Sequence, residues 1–197
     1  NFNGRWPSKS YVVITSKLEA DSFDLTVAVK NVGDEDLPVG VGWHPYFAFP
    51  SGQREQVKLK IPAKKMAVVN NYDDVFPTGK LIPMKGAYAF NADGGKALEK
   101  NFLDDCFVDL NKDASGSVTA EIIDPAAKYG LKIIGLSPEI SAFQAYAPPD
   151  KQFVAFEPQF NWGDPFGKEW KGRNTGMVTL KPGQSVTYSV QLKVFIP

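Results

Sequence analysis

Apolar and polar residues alternate along much of this chain. Phe23, Leu25, Val27 and Val29 are separated by Asp24, Thr26, Ala28 and Lys30. Near the C-terminus Val186, Tyr188, Val190, Leu192, Val194 and Ile196 alternate with Thr187, Ser189, Gln191, Lys193 and Phe195. A period of two turns one side of an extended backbone toward a core, so both segments are predicted as half-buried strands. Further strands are predicted at Tyr11–Leu18, Gln56–Ile61, Met66–Val69, Val118–Asp124, Leu131–Leu136, Ile140–Tyr146, Phe153–Glu157 and Met177–Leu180. Turn residues punctuate them at Asn31-Val32-Gly33-Asp34, Pro50-Ser51-Gly52, Pro77-Thr78-Gly79, Ala114-Ser115-Gly116-Ser117 and Lys181-Pro182-Gly183-Gln184. Helical spacing occurs once, in Gly95–Phe102, where Leu98 and Phe102 stand four apart and predict a short helix. Many short strands with little helix predict an all-β, antiparallel sandwich or barrel, with residues 1–197 forming one domain.

Composition narrows the function classes. The chain has 197 residues, with 22 basic and 22 acidic side chains, so nothing in its charge predicts a nucleic-acid surface. No apolar run is long enough to span a bilayer, and no secretory signal opens the chain, so no membrane partner is expected. One Cys excludes an internal disulfide and a Cys-based zinc site, and one His excludes a multi-His metal cluster within the chain. No metal and no cofactor is expected. A lone thiol suits a reducing compartment, which favours a cytoplasmic over a periplasmic location. The chain begins at Asn1 and enters strand-like sequence almost at once, so material before it is expected to be missing.

Two stretches read as neither plain strand nor turn. Gly40–Phe49 (GVGWHPYFAF) packs aromatics around His44, and Phe156–Trp170 (FEPQFNWGDPFGKEW) mixes aromatics, acids, Gly and Pro. Rings beside acids and amides suit a sugar: pyranose C–H faces stack on rings, and hydroxyls need fixed hydrogen-bonding groups. An imidazole changes charge close to neutral pH, so His44 could exchange a proton with a substrate; a hydrogen-bonded structural His explains it equally well. Glu157 ends an apolar run and precedes Pro158, a place where burial would raise its pKa toward that of a general base. A strand-end Glu bonded to a backbone amide is the plainer explanation. Asp104-Asp105 could clamp sugar hydroxyls or form a solvated turn. The acidic clusters Asp34-Glu35-Asp36 and Tyr72-Asp73-Asp74 lack calcium-loop spacing and are read as solvated loops. Cys106 follows two acids that disfavour a thiolate, and is read as a packed residue.

Together these segments resemble the aldose 1-epimerase (galactose mutarotase) family. Leu37–Phe47 resembles the strand and H-P-Y-F motif of that family, Leu103–Phe107 its sugar-binding Asp motif, and Phe156-Glu157-Pro158-Gln159 its E-P-Q motif. Leu180–Gln184 is similar to its last hairpin. The resemblance implies an antiparallel β-supersandwich and a cofactor-free isomerase. Glu157 would be the general base and His44 the general acid for opening an aldose such as galactose or glucose. Asp104 would accept from sugar hydroxyls, with Gln159 assisting. Location alone makes Trp43, Tyr46, Phe160 and Trp162 candidate walls. His44 and Glu157 are expected to face one concave site, a monosaccharide width apart, with Asp104 at its edge. The resemblance also implies departures. The chain is similar to the C-terminal two-thirds of a member and lacks a preceding segment that carries an Arg and a second His. Asp105 stands where family members often have His. The missing strands, as an N-terminal segment or a second chain, are the expected partner besides a monosaccharide. A non-catalytic carbohydrate-binding or regulatory module of the same fold is the alternative, and a structural β-sandwich of a larger enzyme is a third.

Overall fold

A computed structural model describes residues 2–197. Among them are fifteen strands, numbered in chain order, and no helix longer than a three-residue 3-10 turn. One sheet has the order β1 (Ser10–Leu18), β2 (Ser22–Asn31), β15 (Ser185–Phe195), β11 (Tyr129–Gly135), β10 (Val118–Asp124), β5 (Lys58–Lys60) and β8 (Lys96–Ala97). The second has the order β4 (Tyr46–Ala48), β13 (Phe153–Gln159), β12 (Ala142–Ala147), β9 (Leu103–Leu110), β6 (Ala63–Val69) and β7 (Pro77–Pro83). A two-stranded piece pairs β14 (Val178–Leu180) with β3 (Leu37–Val39). The ladders are antiparallel, as the alternation and the short turns require.

The main hydrophobic core draws on both sheets. Leu59, Ile122, Ile133 and Tyr188 come from the seven-stranded sheet, and Phe107, Phe143 and Phe156 from the six-stranded one. Each fully buried aromatic or aliphatic side chain contributes roughly 1.5–3 kcal/mol. Alternation then sends the remaining residues of the six-stranded sheet to its other face. Asp104, Gln144 and Glu157 share that outer face with a smaller cluster of Ala67, Cys106, Val108, Ala142 and Trp170. This two-sidedness positions the site.

Several local expectations are corrected. Gly95–Phe102 is not a helix: Gly94 and Gly95 both adopt positive φ, and Lys96–Ala97 pairs with β5 instead. Pro77-Thr78-Gly79 opens strand β7 and is not only a turn. Strands β3, β4, β7, β8 and β9 go beyond the strands predicted from alternation. The terminal alternation also outruns its burial, since Val194, near the end of β15, and Ile196, just beyond it, are exposed. Among the described residues no helix is long and apolar enough to cross a membrane.

Candidate functional site

Strand β13 carries Glu157 near its end. The five residues Val154–Pro158 are buried, and the ladder to β12 sets Glu157 opposite Gln144. Pro158 restricts the preceding residue to extended backbone, which fixes the direction of the carboxyl. The carbonyl of Pro158 accepts a hydrogen bond from the buried Tyr188 hydroxyl at 2.7 Å, tying this strand end to the opposite sheet.

His44 arrives from the connection between β3 and β4. That connection runs against the end of β13: Gly42 bridges Gln159, and the amide of Phe160 donates to the carbonyl of Val41 at 2.9 Å. The glycines permit the approach. A Cβ on Gly42 would meet that of Gln159 at 3.1 Å, and one on Gly40 would meet Asn161 Oδ1 at 2.2 Å. Pro45 then holds His44 extended. The imidazole stacks on Tyr46, centroids 5.1 Å apart at 22°.

The result is a concavity of about 360 Å³ lined by His44, Tyr46, Asp104, Gln144, Tyr146 and Glu157. His44 Nε2 lies 3.2 Å from Glu157 Oε1. The two therefore face one site, but in direct contact and not a monosaccharide width apart. The Glu157 side chain is 11% exposed and that of His44 56%. Burial raises the Glu157 carboxyl to about 7; the neighbouring Asp104 adds to the rise, and the His44 charge opposes it. Asp104 is likewise held above the usual carboxylate range by burial, against a 2.8 Å hydrogen bond donated by Gln144 Nε2. A partly desolvated carboxylate touching an imidazole is poised for proton exchange near neutrality.

The other expected residues fall elsewhere. Gln159 turns toward Cys106 Sγ at 3.9 Å and does not line the concavity. Phe160 is fully buried in the main core against Tyr188. Trp43 packs against Phe23 and Phe47 behind the site. Trp162 packs on Trp170 and lines a separate 660 Å³ depression with Lys65, Lys80 and Arg173. Of the four candidate walls, only Tyr46 lines the concavity. Cys106 is buried and its thiol is pushed up to about 12 by burial, in keeping with a packed residue. Gln144 and Tyr146 were missed; the signal was a polar residue and a Tyr alternating with Phe143 and Ala145. A more apolar groove of about 400 Å³ runs beside Trp6, Val12 and Val27, but no titratable pair enters it. Among the described residues no group of three or more His, Cys, Asp or Glu is gathered as metal ligands would be.

Comparison with known proteins agrees with this architecture. The family model for aldose 1-epimerase matches residues 1–193. YphB, an uncharacterized protein of Escherichia coli K12, is 46% identical over 41 residues, 21% of this chain and 14% of that protein. A galactose mutarotase-like protein from Clostridium acetobutylicum superposes with a TM-score of 0.82 at 20% identity, over 98% of this chain and 58% of its own. Galactose 1-epimerase from Lactobacillus acidophilus superposes with a TM-score of 0.74 at 18% identity, over 98% of this chain and 59% of its own. These two structural likenesses are of fold, and the chain spans less than two thirds of each relative. With the family match running from the first residue almost to the last, the chain belongs to the aldose 1-epimerase family.

Proposed function

We propose that this protein interconverts the α and β anomers of an aldose, galactose or glucose, by general acid–base ring opening. The observation that carries the reading is the His44–Glu157 contact of 3.2 Å, set in a sugar-sized concavity with the carboxyl raised to about 7. Glu157 takes the proton from the anomeric hydroxyl. The C1–O1 bond becomes a carbonyl as the C1–O5 bond breaks, and His44 delivers its proton to O5. The aldehyde rotates about C1–C2, and reversal of the two transfers closes either anomer. The anomeric hydroxyl and ring oxygen are bonded to the same carbon. An acid and a base in contact can therefore reach both, which is why the observed spacing suits this chemistry better than a monosaccharide width. Asp104 and Gln144 supply an acceptor and an amide for the remaining hydroxyls, and Tyr46 and Tyr146 supply rings. The reaction as proposed calls on no cofactor.

Each general acid or base contributes typically 10²–10⁴-fold. Polarimetry on freshly dissolved α-galactose and α-glucose is therefore expected to show acceleration by the wild-type protein, with losses of about that size in Glu157→Gln and His44→Asn. Rates equal to buffer for all three proteins would sink the reading. One observation favours a second reading, a binding module without turnover: the His44 side chain is 56% exposed and rests on a single ring, that of Tyr46. Calorimetric binding of a monosaccharide with no acceleration would select it.

A further inference from the structure

We propose that the depression at the β6–β7 edge of the six-stranded sheet is a second ligand site, for a phosphate monoester carried on a ring. The phosphate sits on Arg173 and Lys80, and the ring lies against Trp162. A sugar phosphate and a nucleotide share this chemistry.

The depression holds about 660 Å³, against about 360 Å³ at the acid–base pair, and the two share no lining residue. Glu157 on β13 and Leu81 on β7 are separated by the full run β13–β12–β9–β6–β7. At about 4.8 Å from strand to strand, that is roughly 19 Å. The outer-face cluster of Ala67, Cys106, Val108, Ala142 and Trp170 lies between them. A ligand here is separate from any sugar held by His44 and Glu157.

Charge and mounting name the ligand. The chain as a whole is neutral, yet the depression is lined by Lys65, Lys80 and Arg173 and by no acid. Lys65 is taken by Asp109 at 3.2 Å. Among the described residues Lys80 and Arg173 form no ion pair. Glu169, the acid on the neighbouring 3-10 turn Lys168–Trp170, folds its carboxyl back toward Gly167. Lys171 and Gly172 adopt successive positive φ of 51° and 75°, and the Arg173 amide donates to the carbonyl of Trp170 at 3.0 Å. This bend brings the guanidinium onto β7, where Nη1 donates to the carbonyl of Gly79 at 3.0 Å. A Cβ on Gly79 would meet the carbonyl oxygen of Glu169 at 2.1 Å, so glycine lets the turn pack this close. Held through one nitrogen, the guanidinium keeps its other donors for an anion, and its planar fork matches a phosphate. Asn174 lines the same depression; its Oδ1 accepts from the amide of Gly176 at 2.9 Å, which leaves its amide nitrogen as a donor.

The aromatic wall is also fixed. Trp162 packs on Trp170 with ring centroids 5.1 Å apart. Trp170 is buried, and its Nε1 donates to the carbonyls of Gly163 and Asp164 at 3.1 and 3.0 Å. The Trp162 amide donates to the carbonyl of Thr175 at 2.8 Å. Trp162 itself is half-buried, and its uncovered part lines the depression. A neutral sugar would leave Arg173 and Lys80 unused, and a bare phosphate would leave the indole unused. A ring that carries a phosphate uses both.

The test is titration with glucose 6-phosphate, AMP, inorganic phosphate and glucose, read by calorimetry and by amide chemical shifts. At least one ester is expected to bind, and the tighter of the two separates a sugar phosphate from a nucleotide as the source. Inorganic phosphate is expected to bind about 2- to 10-fold more weakly than that ester, for want of the ring contact. Shifts should gather at Gly79, Lys80 and Asn174 and fade as salt is raised, while glucose leaves these amides unmoved. Trp162→Ala is expected to weaken the ester by about 2- to 10-fold. Arg173→Gln and Lys80→Gln should each weaken it by about 2- to 5-fold. Both charges are exposed, so these two variants carry the test if Trp162→Ala does not fold. No binding by either ester, inorganic phosphate binding as tightly as the better ester, or shifts confined to His44 and Glu157 would overturn the site. So would unchanged affinity in the Arg173→Gln, Lys80→Gln double variant. Binding is read here and not turnover, so the outcome is independent of the acid–base reading.

Discussion

Glu157 stores a measurable amount of pH dependence. Burial moves its carboxyl from an ordinary 4.5 to about 7 in the folded protein. Between those values the folded chain holds a proton that the unfolded chain has released. Its contribution to stability therefore falls as pH rises from about 4.5 to about 7, and above that range the buried charge exerts its full cost. Glu157→Gln cannot ionise. Its melting temperature relative to wild type should climb between pH 5 and pH 8, as thermal melts would read directly; a difference that stays constant over this range would contradict the assignment. Residues also show what sequence can and cannot display. His44 and Glu157 stood out because each sits in a short, chemically odd stretch beside Pro. Gln144 and Tyr146 did not, since their place depends on which strands pair. Trp162 looked like a sugar wall only because it follows Glu157 closely in the chain.

At the level of elements, the site is made by the close approach of the β3–β4 connection to the end of β13. Gly40 and Gly42 leave room for it, and the Gly42–Gln159 bridge records the contact. Gly42→Val introduces atoms where Gln159 already packs. Overpacking of this kind costs typically 1–3 kcal/mol, so the denaturant midpoint should fall accordingly, with a loss of sugar turnover larger than the loss of folded protein at the assay temperature. Unchanged turnover in a folded Gly42→Val variant would mean that His44 does not depend on this approach. The alternating strands β2, β10, β11 and β15 were readable because one face of each meets a core and the other does not, and β13 because it is a short continuous apolar run buried on both faces. Strand β9 was harder: its Asp104-Asp105 pair mimics a turn, although alternation sends the two acids to opposite faces of one strand. The mistaken Gly95–Phe102 helix has a similar origin. Two apolar residues four apart satisfy a helical spacing, but adjacent glycines at positive φ favour a bend into β8, which pairs with β5.

Across the whole molecule, the six-stranded sheet separates a core face from a chemical face, while the seven-stranded sheet ends on a bare edge. Among the described residues strand β1 pairs only with β2, and Tyr11, Val12, Val13, Ile14 and Leu18 are all exposed along it. An unpaired apolar edge recruits other strands. Light scattering should show concentration-dependent association of this chain, reduced by Ile14→Lys; a monomer at all concentrations would argue that the edge is shielded. The central claim concerns the other sheet: that Glu157 is the base of an acid–base pair acting on a sugar. Its most direct test is the pH dependence of anomer exchange, measured by NMR on galactose and glucose from pH 5 to pH 9. An acidic limb with an apparent pKa near 7 is predicted for the wild-type protein, with residual exchange in Glu157→Gln that no longer follows that limb. A wild-type profile without the limb, or a Glu157→Gln profile that retains it at full rate, would contradict the account.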